Sequence, residues 1–194
     1  MNNRFFVFGL PRSRTAWMAN LLTYESSVCL HEALIECPTL EDLESKMSLS
    51  GGIISGISDT LACFIGEQIA DFWPEARIVL LVRKPADFVE QMARIGVKSD
   101  HAKLLLQRFK DFETFCAKEI PDRTMFVQTR DLNDFDTIQA IWRHIGMATI
   151  MNRVRVDMLV DLQVQGFPER MEAKAKKLAH NFQALTDGAF VLKE

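Results

Sequence analysis

The sequence has no long hydrophobic run, no excess of basic residues and no paired cysteine motif. None of the apolar stretches among its 194 residues is long enough for a signal peptide or a bilayer span, which predicts a soluble cytoplasmic protein. A net charge of −3 argues against a nucleic-acid partner, because such binding depends on bulk positive charge. The cysteines, Cys29, Cys37, Cys63 and Cys116, form no C-x-x-C pair, so we expect free thiols and no metal site.

Short apolar runs alternate with amphipathic segments along most of the chain. Apolar runs of this kind are typical of parallel strands that are buried on both faces by helices. The predicted strands cover residues 4–9, 28–31, 52–58, 77–83 and 124–129. The predicted helices cover residues 14–24, 39–48, 59–72, 85–96, 100–118 and 134–145. The sequence thus predicts one α/β domain, residues 1–194, with a three-layer core at 4–150, a mainly parallel central sheet and a helical extension at 151–194.

The first predicted strand leads through a short basic turn into a helix. Phe5 to Phe8 are apolar, Gly9 follows, and residues 11–15 read Pro-Arg-Ser-Arg-Thr. The first amides of a helix have no internal partner and its dipole favours negative charge, so this turn predicts an anion site. It is not a Walker A loop, because Arg14, Thr15 and Ala16 stand where that motif has glycine, lysine and a hydroxyl. A metal-dependent phosphoryl transfer is therefore disfavoured.

Residues 11–17, Pro-Arg-Ser-Arg-Thr-Ala-Trp, resemble the P-[RK]-S-G-T-T-[WL] loop of sulfotransferases. Those enzymes use 3′-phosphoadenosine 5′-phosphosulfate, and the loop holds its 5′-phosphosulfate. The resemblance implies a P-loop-like sulfotransferase fold and a nucleotide sulfo donor as partner, without a metal. It also implies a set of donor-binding residues in this turn: Pro11, Arg12, Ser13, Arg14, Thr15, Ala16 and Trp17.

Two later segments resemble the same family. Residues 76–92 are similar to its R-[ND]-P-x-[DE]-x-x-x-S motif, in which arginine and serine hold the 3′-phosphate of the nucleotide. Arg83, Pro85 and Asp87 match, while Gln91 stands at the serine position and departs from the pattern. Residues 125–146 resemble a strand, an E-D-L segment and a helix that ends in L-G, which is an architectural similarity. The family's C-terminal motif has no match here.

The resemblance also suggests how the catalytic roles are divided. Arg12 is the candidate for stabilising charge on the leaving phosphate. At Arg14 we expect ordinary helical dihedral angles instead of a positive φ. Glu32 is the first candidate for the base and His31 the second, since they end a predicted strand whose carboxyl end lies beside the turn. The alternatives are that His31 only packs at the strand end and that Glu32 caps the next turn. Asp59 is interpreted as a helix N-cap.

The remaining features of the sequence have mainly structural interpretations. His101 and His144 lie in predicted helices and are expected at the surface, and the phenylalanines of residues 109–115 are expected in the core. A basic helical stretch with Arg170, Lys174, Lys176 and Lys177 is interpreted as a terminal helix with a solvated face, and a phosphate-binding role is the alternative.

The leading functional hypothesis is a small sulfotransferase that acts on a hydroxyl or amine acceptor. The substitutions at Arg14, Ala16 and Gln91 keep open a catalytically silent nucleotide- or anion-binding module on the same scaffold. A divergent small-molecule kinase is a third hypothesis, which the missing lysine and Mg²⁺-binding hydroxyl disfavour. The acceptor is not identified by any segment of the sequence.

Overall fold

The computed structural model describes residues 3–160, which form five strands and seven α-helices. The strands are β1 (Asn3–Gly9), β2 (Ser27–His31), β3 (Ile54–Asp59), β4 (Arg77–Val82) and β5 (Thr124–Gln128). The helices are α1 (Thr15–Leu22), α2 (Leu40–Leu49), α3 (Gly66–Phe72), α4 (Pro85–Arg94), α5 (Ser99–Glu119), α6 (Phe135–His144) and α7 (Arg153–Val160). The segment with Arg170 and the three lysines lies outside the described residues.

All strand pairs in the sheet are parallel, and the strand order is β2-β3-β1-β4-β5. From β1 the chain first moves to β2 on one side, returns through β3, and then continues to β4 and β5 on the other side. The carboxyl end of β1 is therefore a topological switch point, where open α/β sheets bind ligands. The predicted three-layer α/β architecture is confirmed.

The two faces of β1 supply the centres of two cores. Phe6 and Phe8 belong to the core under α2, α3, α4 and α5, whereas Phe5 and Val7 belong to the core under α1, α6 and α7. All four side chains are fully buried. A strand that is apolar on both faces fits only the middle of such a sandwich, so this sequence fixes β1 in the centre of the sheet.

The predicted helix at 59–72 begins later than expected. Asp59 is the buried last residue of β3, and a 3₁₀ turn at Ala62–Ile65 precedes α3. The Asp59 Oδ1 atom accepts a hydrogen bond from the Leu61 amide at 2.9 Å, so the side chain turns the chain at the strand end instead of capping a helix. The expectation of an N-cap at Asp59 is therefore wrong.

The expectation for His144 is also wrong. Its side chain is half-buried, and its Nε2 atom lies 3.0 Å from the Ile78 carbonyl oxygen. Burial lowers the pKa of His144, because the charged imidazolium loses hydration. His101 is exposed, and Phe109 and Phe112 are buried, as expected.

The four cysteines are buried and free of disulfide bonds. Burial raises the pKa of Cys116 to about 12, so this thiol is protonated at neutral pH. Within residues 3–160, no helix is both long enough and apolar enough to cross a membrane. The same residues contain no cluster of three or more metal-ligating side chains.

Candidate anion site at the carboxyl edge of the sheet

The turn after β1 packs closely against its own helix. A Cβ atom built on Gly9 would lie 3.1 Å from Thr15 Cγ2, 3.2 Å from Ser13 Cβ and 3.3 Å from Leu81 Cβ. A larger residue at this position would push these neighbours apart. Gly9 therefore lets the turn fold back closely over the end of β1, between β3 and β4.

Two arginines of the turn have left-handed backbones, Arg12 with φ 68° and Arg14 with φ 63°. The expectation of helical dihedral angles at Arg14 is wrong, and helix α1 begins only at Thr15. The left-handed region costs a residue with a side chain about 1–2 kcal/mol. Left-handed and right-handed residues in alternation turn successive amides inward and form an anion-binding concavity, the geometry of phosphate loops.

The amides that follow the turn are available to a ligand. Ser13 N–H donates to the Leu10 carbonyl at 3.0 Å, and Met18 N–H donates to the Arg14 carbonyl at 2.8 Å. Between them, the amides of residues 14–17 donate to no acceptor in the described part of the chain. The Ser13 hydroxyl is fully buried and also has no partner there. Several donors thus converge on the position where an anionic oxygen would bind.

The side chains of the turn differ in their surroundings. Arg12 is exposed, while Pro11, Thr15 and Trp17 are buried and Ala16 is half-buried. The guanidinium of Arg14 donates to Asn133 Oδ1 at 2.6 Å and lies 5.3 Å from the centre of the Trp17 ring. Of the predicted donor-binding residues in the turn, Arg12 alone combines a full positive charge with an exposed side chain.

Arg83 reaches this turn from the carboxyl end of β4. Its Nη1 atom donates to Gln91 Oε1 and lies 3.4 Å from the Arg12 carbonyl oxygen. Burial lowers the pKa of Arg83, Asp87 raises it, and Arg12 lowers it, yet guanidinium stays charged at any physiological pH. The structure thus brings together Arg12, Arg83 and Gln91, which the sequence assigned to two separate phosphate contacts.

Glu32 and His31 lie at the same edge, on the other side of β1. Strand spacing puts the end of β2 about 10 Å from the end of β1, because β3 lies between them. Glu32 is the N-cap residue of a 3₁₀ turn at Ala33–Ile35, with a left-handed backbone and no side-chain cap hydrogen bond. Its Oε1 atom lies 3.4 Å from Thr60 Oγ1 and 3.6 Å from His31 Nε2.

Sequence reasoning missed Thr60 and Asn133. Thr60 follows β3, and Asn133 ends the 3₁₀ turn Thr129–Asn133 after β5. Both follow strands whose carboxyl ends form the candidate site, and that position is the signal that could have identified them. Asn133 could not have been matched with Arg14, because the two are 119 positions apart.

The comparisons with known proteins add a likeness to solved structures. No protein-family model matches the sequence, and no curated protein sequence matches it. Among solved structures, the chain is similar to the sulfotransferase domain from the olefin synthase of Synechococcus PCC 7002, with a TM-score of 0.56 and 12% identity. The likeness covers 93% of this chain and 94% of that domain. At this identity it establishes a sulfotransferase-like fold and no more.

Proposed function

We propose that this chain is a sulfotransferase that takes its sulfuryl group from 3′-phosphoadenosine 5′-phosphosulfate and delivers it to a hydroxyl or amine acceptor. The observation that carries the proposal is the contact of Arg83 with the turn, in which Arg83 Nη1 lies 3.4 Å from the Arg12 carbonyl oxygen. A ligand with a single anionic group would need only the turn. Two basic segments at adjacent strand ends suit a nucleotide with phosphates on both its 5′ and its 3′ oxygens.

In this proposal the turn holds the 5′-phosphosulfate. The amides of residues 14–17 and the Ser13 hydroxyl donate to its oxygens, and Arg12 stabilises the charge that develops on the bridging oxygen. The turn fixes the amides and the buried Ser13 hydroxyl before the ligand arrives, so little reorganisation of these donors opposes the reaction.

Arg83 and Gln91 hold the 3′-phosphate. Arg83 is half-buried and its guanidinium is already oriented by Gln91 Oε1. Since the Gln91 oxygen accepts from Arg83, its amide nitrogen keeps its two hydrogens for donation. Gln91 can therefore serve in place of a serine hydroxyl even though its side chain is longer.

Glu32 is the proposed base, and the carboxyl edge of the sheet between the ends of β2 and β1 is the proposed acceptor site. The acceptor oxygen or nitrogen attacks sulfur, the bond from sulfur to the bridging oxygen breaks, and the acceptor proton passes to Glu32. The products are the sulfated acceptor and adenosine 3′,5′-bisphosphate. His31, 3.6 Å from Glu32 Oε1, is the second candidate for this role. The four buried thiols support a reducing cytoplasmic compartment for the reaction.

Thermal unfolding with adenosine 3′,5′-bisphosphate tests the binding part of the proposal. A ligand at a hundredfold excess over its Kd stabilises the folded chain by about 2.7 kcal/mol. For a chain of this length that raises the melting temperature by roughly 5–10 °C. The absence of a shift at saturating bisphosphate contradicts the proposal, and a larger shift with ATP and Mg²⁺ favours a kinase instead.

Turnover separates an enzyme from a silent binding module. Labelled sulfo donor is incubated with the chain and a panel of hydroxyl and amine acceptors, and the bisphosphate product is measured. Arg12→Ala is expected to abolish turnover, because the leaving oxygen loses its positive partner. Arg130→Ala is the matched control, since Arg130 is an exposed arginine that lies next to Asp131 instead of at the turn. Binding without turnover for every acceptor supports the silent module.

A further inference from the structure

Arg14 occupies a position with a backbone conformation that glycine would adopt without cost. Its φ of 63° and ψ of 24° are left-handed, and glycine is the residue that tolerates this region best. The conformation persists only if the surroundings hold it. The contacts of the Arg14 side chain therefore show what keeps this turn in shape.

We propose that Asn133 is a positioning residue that fixes the anion-binding turn through the side chain of Arg14. The Arg14 guanidinium donates to Asn133 Oδ1 at 2.6 Å, which ties the turn after β1 to the segment after β5. The inference rests on the proposed function, since it gives this contact a role in nucleotide binding. It assigns Arg14 to the support of the turn and leaves the contact with the nucleotide to Arg12, Arg83 and the amides.

Trp17 is the second side chain that supports the guanidinium of Arg14. Its ring lies 5.3 Å from the Arg14 guanidinium carbon, within the range of a cation–π contact. The indole is only 2% exposed, and its Nε1 atom donates to the Leu159 carbonyl at 2.6 Å. The tryptophan is thus held by the core and by α7. Arg14 thus lies between a buried aromatic ring and the amide oxygen of the exposed Asn133.

The contact also explains how a third arginine fits into the turn. Three free guanidinium groups around one small site would repel each other before a ligand arrived. Burial, and to a smaller extent the charge of Arg12, already lowers the pKa of Arg83. Asn133 and Trp17 bind the guanidinium of Arg14 away from Arg12 and Arg83. Arg14 therefore keeps the turn in its left-handed form without competing for the anion.

A thermodynamic cycle on adenosine 3′,5′-bisphosphate affinity tests this inference, with Kd measured by calorimetry for the full chain. Asn133→Ala is expected to weaken binding roughly three- to tenfold, the range of one lost hydrogen bond. The same change made in the Arg14→Gly background is expected to have no further effect. Arg14→Gly is expected to bind more tightly than Arg14→Ala, because alanine pays the left-handed cost and glycine does not. Gln128→Ala, an exposed amide at the end of β5, is the control.

Two results would overturn the inference. If Arg14 binds the nucleotide directly, Arg14→Gly loses affinity on the order of ten- to hundredfold relative to wild type, and Asn133→Ala leaves the affinity unchanged. If Asn133 acts independently of Arg14, its effect on Kd is the same in both backgrounds.

A ligand-free measurement distinguishes failure of the support from failure of the proposed function. The indole N–H signal of Trp17 in a ¹⁵N spectrum should shift in Asn133→Ala, while those of Trp73 and Trp142 stay in place as internal references. A static Trp17 signal contradicts the contact itself. A shifted signal in a chain whose wild type binds no bisphosphate refutes the proposed function, together with the role in nucleotide binding, and leaves the contact standing.

Discussion

The ion pair between Arg4 and Glu44 should measurably stabilise the strands that carry the site. Arg4 lies on β1 with a side chain only 4% exposed, and it donates to Glu44 on α2 through Nε at 2.9 Å and through Nη2. Glu44 also accepts from Trp73 Nε1 at 2.7 Å, and Arg4 donates to Ser55 on β3. These contacts tie β1, β3 and α2 together at the amino end of the sheet.

The hydrogen bond from Arg4 lowers the pKa of Glu44 from 4.5 to about 2, with smaller contributions from Trp73 and Ser48. At about 1.4 kcal/mol for each pKa unit, this corresponds to at most about 3 kcal/mol. The Glu44 side chain is 34% exposed, so solvent screening reduces the contribution to about 1–2 kcal/mol. Loss of the charge also leaves Arg4 buried without its anion, which adds to the cost.

Glu44→Gln is therefore expected to lower the free energy of unfolding by about 2 kcal/mol at pH 7, or about 4–8 °C in melting temperature. A carboxyl whose pKa is lowered by folding stabilises the fold above its ordinary pKa, and this contribution is lost as pH falls from 4.5 towards 2. The difference between wild type and Glu44→Gln should thus shrink markedly between pH 7 and pH 3.

Urea unfolding followed by circular dichroism at pH 7, 5 and 3 measures this difference. Glu41→Gln is the matched control, since Glu41 is exposed one turn earlier on α2. The reasoning is refuted if Glu44→Gln is as stable as Glu41→Gln at pH 7. It is also refuted if the gap between wild type and Glu44→Gln does not narrow at low pH.

Three further changes test the site and the sheet. Arg83→Ala should weaken the binding of adenosine 3′,5′-bisphosphate on the order of ten- to hundredfold and leave the binding of adenosine 5′-monophosphate unchanged, as measured by calorimetry. Equal losses of affinity for both nucleotides would show that Arg83 does not contact the 3′-phosphate. Glu32→Gln should lower kcat on the order of a hundredfold or more with little change in bisphosphate Kd, and an unchanged kcat would exclude Glu32 as base. Gly56→Ala should destabilise the fold by about 3 kcal/mol or more in urea unfolding, because its Cβ would lie 2.0 Å from the Phe5 carbonyl oxygen; wild-type stability would contradict the close strand packing.

The strands and the turn could be predicted from the sequence because their signals are local. All five predicted strands are present, since runs such as Phe5 to Phe8 are apolar at every position and suit burial on both faces. Gly146 follows α6 with a φ of 99°, the left-handed conformation in which glycine commonly ends a helix. Thr39 has a side chain typical of helix N-caps, and it caps α2 by accepting from the Asp42 amide at 3.1 Å.

The errors occurred where local rules met a constraint from elsewhere in the fold. Asp59 has the residue type of an N-cap, yet β3 extends to include it, and its side chain binds the Leu61 amide. His144 ends an amphipathic helix, and only the packing of α6 on the sheet brings it to the Ile78 carbonyl. Propensity ranks what a residue can do locally, and tertiary packing selects among those options.

The sequence by itself determined an α/β chain with a basic strand–turn–helix segment, the candidate anion site, and a second basic segment after a later strand. Hydrophobic periodicity and turn composition depend on neighbouring residues, so they can be interpreted without the fold. Only the tertiary structure decided that Arg83 reaches the Arg12 carbonyl, that Thr60 lies beside Glu32, and that Asn133 holds Arg14. These contacts depend on the strand order, which brings distant loops to one edge of the sheet, and no local pattern encodes that order.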